Sequence, residues 1–68
     1  MKNPSVEIVI PVYNEEKELE ANIMTLFNFC NKKMNGYSWH ITIADDASMD
    51  NTPVIASTLA KKHTNISL

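Results

Sequence analysis

The chain has 68 residues, 44% hydrophobic and 21% charged, with a formal net charge of −2 and a pI near 5.5. Without clustered Lys or Arg it lacks the footprint of a nucleic-acid-binding surface, and it has neither a membrane-spanning apolar run nor a signal-peptide core. The single Cys30 excludes an internal disulfide and no Cys/His spacing suits structural zinc, so the expectation is a cytoplasmic unit without a staple, burying only about 60% of its unfolded surface.

Val6–Val12 is β-branched and apolar at both parities, which predicts a strand covered on both faces. Pro11 cuts it off, and Tyr13 and Asn14 stand at its carboxyl end. From Asn14 to Met34 apolar residues recur at helical spacing: Leu19, Ile23, Leu26, Phe27, Cys30 and Met34. Asn14 suits an N-cap, and Glu15 and Glu16 suit the positive end of the helix. Asn35-Gly36 suits its C-terminal stop, with the glycine in a left-handed turn. Cys30 falls within the apolar stripe and reads as a buried, unreactive thiol.

Trp39–Ala44 predicts a second strand, and Asp45–Thr52 a polar loop. Proline belongs in the first turn of a helix, so Pro53 predicts a helix over Pro53–His63, with Thr52 or Asp50 a better cap than Ser48. Asn65–Leu68 opens a third strand. Lys32-Lys33 and Lys61-Lys62 fall late in the two helices, where they complement the helix dipoles. The order is β-α-β-α-β, with crossovers long enough to join parallel strands. So small a parallel sheet has a long unpaired edge. The expectation is that residues 1–68 are the N-terminal part of a larger α/β domain, or that the unit self-associates.

Ligands of open α/β sheets bind beyond the carboxyl ends of the strands. Tyr13 stands at one such end and Asp45-Asp46 at the next, so ring and carboxylates are expected to converge on one cleft. A carboxylate can accept from the edge N–H of a nucleobase while a ring covers its face, and stacking of that kind contributes on the order of 1–3 kcal/mol. The plainer reading is that the aspartates cap the next helix and tie down the loop. Asp46, Ser48 and Asp50 alternate as in a calcium loop, but Asn51 replaces its glycine and Ser57 its bidentate Glu. Gly36 is the only glycine, which excludes the glycine-rich phosphate loops. His40 and His63 read as structural, and Met24, Met34 and Met49 as packing residues. The sequon at Asn65-Ile66-Ser67 reads as chance in a chain without a secretion signal.

Two segments, Ile8-Val-Ile-Pro-Val-Tyr-Asn-Glu15 and Ile43-Ala-Asp-Asp-Ala-Ser-Met-Asp-Asn-Thr52, together resemble the opening of the family 2 glycosyltransferases. The resemblance covers nearly the whole chain but only the front of that family's domain. It implies an incomplete Rossmann-like (GT-A) parallel sheet with flanking helices. Tyr13 would lie against the nucleobase of a UDP- or GDP-sugar donor. Asp46, in preference to Asp45, would bond the base edge. Pro11 would shape the pocket wall, Glu15 would approach the base or ribose, and Asp50 and Thr52 would organise the loop. Ala47 stands where the family commonly has glycine, and is strained if that position needs positive φ. The family's Asp-x-Asp motif, which holds Mg2+ or Mn2+ on the donor diphosphate, is expected downstream of this chain, as is the carboxylate that activates the acceptor, a glycan or lipid carrier. The resemblance thus implies a glycosyltransferase of which this chain is the nucleotide-binding part, inactive alone. The alternative is a small non-catalytic α/β interaction module, dimeric through its open sheet edge.

Overall fold

A computed structural model describes residues 4–68. The elements are β1 (Ser5–Val12), α1 (Leu19–Lys33), β2 (Ser38–Asp45), α2 (Thr52–Lys62) and β3 (Ile66–Ser67). They form the expected α/β arrangement, a three-stranded parallel sheet in the order β1-β2-β3. The register runs from Ser5 opposite Ser38 to Val12 opposite Asp45, so β1 and β2 end side by side.

Alternation along the strands decides which face is covered. Ile8 and Ile10 on β1 pair with Ile41 and Ile43 on β2, and all four point toward the helices. There they meet Leu19 and Ile23 of α1 and Ala56 and Leu59 of α2, with Val12 and Ile66 completing one core. Both helices share that face because successive right-handed crossovers in one direction deliver them to the same side. The expectation that β1 is covered on both faces is therefore wrong for these residues. Glu7, Val9 and Pro11 are exposed, with Val9 57% accessible. Pro11 is tolerated because β1 is an edge strand, where a missing N–H removes no ladder bond.

The helical stripe is as expected, with Leu19, Ile23 and Cys30 buried and Leu26, Phe27 and Met34 half-buried. Burial pushes the Cys30 thiol up from its ordinary pKa, which suits an inert side chain. Phe27 sits edge-on to Trp39, with centroids 5.2 Å apart, and also contacts the His63 ring. His40 bonds the Ser67 hydroxyl across β2 and β3. Both histidines are structural in these settings.

Three local expectations are corrected. The helix begins at Leu19, not Asn14, because the Asn14, Glu15 and Glu16 N–H groups go to the loop after β2 and residues 16–18 form a turn. At the other end the C-cap is Met34, whose N–H bonds the Cys30 carbonyl, and Gly36 has no positive φ. Met49 packs against nothing and is 89% exposed. No helix among the described residues is long and apolar enough to cross a membrane.

Candidate functional site

The ladder between β1 and β2 runs one bond past the strands: the Asp46 N–H donates to the Val12 carbonyl at 2.9 Å. Tyr13 and Asp46 therefore leave adjacent strand ends, as the sequence motifs require. Tyr13 is 55% exposed, and Asp45 and Asp46 are exposed too. These residues stand exposed at adjacent strand ends. Pro11 lies on the uncovered face of the sheet, beside Ala44 in the register.

The two aspartates are not equivalent. The Asp45 carboxylate accepts from the Ser48 N–H at 3.2 Å and from the Ser48 hydroxyl, so it is committed to the turn it starts. Asp46 has no side-chain hydrogen bond among the described residues. Between it and Ser48, Ala47 occupies the left-handed region at φ 55, the strain anticipated for a residue in a glycine position. Glu15 is half-buried, and its carboxylate lies 3.4 Å from the Tyr13 N–H.

Past the end of β1, consecutive backbone donors would have no strand or helix to satisfy them. The loop after β2 supplies the acceptors. The Asn14 N–H donates to Ser48 Oγ at 2.8 Å, the Glu15 N–H to Thr52 Oγ1 at 2.8 Å, and the Glu16 N–H to Asp50 Oδ2 at 3.2 Å. Two bonds return: Met49 N–H to Asn14 Oδ1 at 2.8 Å and Asn51 N–H to Glu16 Oε2 at 3.2 Å. Asn14, at φ 48, is thus a tie between loops rather than a helix cap. Asp50 and Thr52 organise the loop as expected; Ser48 and Glu16 do so as well and were passed over. The one signal for Ser48 was its spacing with Asp50 and Thr52, three short polar side chains at alternate positions that accept from the successive N–H groups of Asn14, Glu15 and Glu16.

Asp50 also accepts from the Thr52 N–H at 2.8 Å. Desolvation raises its pKa, but the Thr52 hydroxyl and the N–H groups of Thr52, Glu16 and Asp50 outweigh it and hold the carboxyl below the ordinary range. Among the described residues no group of three or more His, Cys, Asp or Glu side chains could hold a metal ion. The described strand ends do not fit the divalent cation that the resemblance implies. A cavity of about 170 Å3 lies beside the tied loops, lined by Asn14, Glu16, Lys17, Glu18 and Asp50. A larger one, about 470 Å3, sits at the opposite, amino ends of β1 and β2, around Glu7, Trp39 and Asn65, away from Tyr13 and Asp46.

Residues 7–68 match the family described as Glycosyl transferase family 2. The chain belongs to this family. It is similar to two dolichyl-phosphate beta-glucosyltransferases of Trichomonas vaginalis, being 33% and 30% identical to them over 66 residues. Each match covers 93% of this chain but 20% of the relative, so the chain spans about a fifth of their length. No solved structure matches it significantly.

Proposed function

We propose that this chain is the nucleotide-recognising, N-terminal part of a glycosyltransferase that moves a sugar from a nucleotide-diphosphate donor to an acceptor. The carrying observation is the register: Val12 pairs with Asp45, so the exposed Tyr13 ring and the uncommitted Asp46 carboxylate follow from neighbouring strand ends. In this reading Tyr13 covers one face of the base of a UDP- or GDP-sugar, and Asp46 accepts from its edge N–H. Pro11 bounds the pocket on the open sheet face, and Glu15 holds the Tyr13 backbone close to the ribose. Asp45 supports the turn.

The name of these relatives suggests dolichyl phosphate as acceptor and glucose as the sugar for the whole protein. The Mg2+ or Mn2+ of the resemblance would be held by other residues of that protein, and the chain alone would hold a donor without transferring its sugar. The cytoplasm is the compartment this reading assigns. Isothermal titration with UDP and with GDP tests it, using the protein that carries this chain. One of the two nucleotides should bind, and Tyr13→Ala should weaken it by about 5–150-fold, the equivalent of 1–3 kcal/mol of stacking. Binding of neither nucleotide overturns the proposal.

A second reading rests on β1, an edge strand of eight residues with an exposed outer face. There the chain would be a self-associating interaction module. A cooperative dimer on sizing, indifferent to both nucleotides, would favour it.

A further inference from the structure

Resting on the nucleotide-site reading above, we infer that Ser48 is a positioning residue: its hydroxyl fixes the Tyr13 backbone and withdraws Asp45, leaving Asp46 as the carboxylate that meets the ligand. A serine hydroxyl has one proton to donate and two lone pairs to accept with. Here Oγ accepts from the Asn14 N–H at 2.8 Å, and its remaining proton goes to the Asp45 carboxylate. One oxygen atom therefore ties both strand ends.

Each tie acts on a different member of the site. The Asn14 N–H belongs to the peptide plane that begins at the Tyr13 α-carbon, and peptide planes are rigid. Holding that N–H fixes the departure of the Tyr13 side chain from the end of β1. The Asn14 side chain closes the loop by accepting from the Met49 N–H at 2.8 Å, so the hold comes from both directions. On the other strand, the Ser48 N–H and hydroxyl both address Asp45, while Asp46, one residue on, has its backbone anchored to Val12 and its carboxylate free. The left-handed Ala47 makes this geometry possible by turning the chain back between Asp46 and Ser48.

Ligand affinity depends on such preorganisation, because ordering a loose group on binding subtracts from the gain. Loss of the Ser48 hydroxyl should therefore appear as weaker nucleotide binding even where no ligand atom touches Ser48. The experiment measures the dissociation constant of the nucleotide that binds, well below each variant's melting temperature, with circular dichroism checking the fold. Ser48→Ala should weaken binding about 10-fold, the equivalent of one lost hydrogen bond. Ser48→Thr, which keeps the hydroxyl, should stay within about 3-fold of the parent. In a Tyr13→Ala background, Ser48→Ala should cost clearly less than it does alone, since much of what it positions is gone.

A second comparison does not depend on the folding of Ser48→Ala: Asp45→Asn keeps one of the two oxygens that accept from Ser48 and should weaken binding clearly less than Asp46→Asn, which should weaken it about 10-fold. A Ser48→Ala variant that melts earlier but binds like the parent overturns the positioning role and leaves the nucleotide reading standing. Asp45→Asn as damaging as Asp46→Asn overturns the division between the aspartates. If the parent binds neither nucleotide, the nucleotide reading falls and this inference falls with it.

Discussion

Thr52→Val removes the Thr52 hydroxyl, which ties the Glu15 N–H and also bonds the Asp50 carboxyl, at nearly constant shape. Thr52 is fully buried, and its Oγ1 accepts from the Glu15 N–H at 2.8 Å. Valine replaces that hydroxyl with a methyl, so the half-buried Glu15 donor loses its partner. A buried donor left unsatisfied costs about 1–3 kcal/mol, partly offset by up to about 0.8 kcal/mol for the added apolar group. The net expected loss is roughly 1–2 kcal/mol, large for a domain whose stability is about 0.05–0.15 kcal/mol per residue. With a urea slope near 1 kcal/mol/M for so small a unit, the midpoint should fall by about 1–2 M. Thr52→Ser provides the contrast, since it deletes the methyl and keeps the acceptor. Both variants lose stability, but only valine should release the Glu15 amide, seen as hydrogen exchange at Glu15 faster than the global change explains. A Glu15 amide equally protected in the valine and serine variants would refute the reasoning, and with it the claim that Thr52 joins the two loops.

Two further outcomes follow from the same loops. Ala47→Gly should stabilise, against the usual sign for glycine. The left-handed conformation at φ 55 costs an L-residue about 1–2 kcal/mol, and glycine returns about 0.4–1 kcal/mol of that as unfolded-state entropy. A net gain of roughly 0.5–1 kcal/mol should raise the melting temperature by about 2–8 °C, and a lower one would show that Ala47 is not strained. Asp50 has a folded pKa below its unfolded value, so its contribution is fully present above the ordinary aspartate range near about 3.9 and fades as the pH falls through its lowered value. Urea midpoints of the parent and Asp50→Asn should therefore differ by a constant amount at neutral pH and converge in acid; a gap that persists to the lowest pH contradicts the assignment.

The strands and helices were legible because their signals are local. Ile8, Ile10 and Val12 alternate with residues that tolerate exposure, and Leu19, Ile23 and Cys30 repeat at helical spacing whatever covers them. The start of α1 was misread for a physical reason. Asn14, Glu15 and Glu16 have the composition of a capped helix N-terminus, yet their N–H groups find acceptors 34–37 residues away on the loop after β2. A long-range partner outcompeted a local one, and a single sequence carries no record of that competition. Gly36 misled similarly: the helix closed through the Met34 N–H and left no need for a left-handed glycine. The coverage of β1 was overread because its apolar residues at both parities describe what the strand can bury, and Val9 has no partner layer among the described residues.

An exposed tyrosine and an exposed carboxylate are common on any protein surface and argue nothing by themselves. Here their meaning comes by subtraction. At the ends of β1 and β2, the Asn14 amide, Ser48, Asp45, Asp50, Thr52 and the carboxylate of Glu16 are each engaged in a bond that holds the loops together. The Tyr13 ring and the Asp46 carboxylate stand apart from that set, although the backbones that carry them are the ones the bonds immobilise. Flexible exposed groups would have to be ordered by a ligand at entropic cost, whereas these project from a fixed frame. Under the proposed reading, that frame presents the ring and the carboxylate to a planar ligand with an N–H edge. Under that reading, the same loops without Asp46 or Tyr13 would still close two crossovers but would offer a nucleotide neither ring nor acceptor.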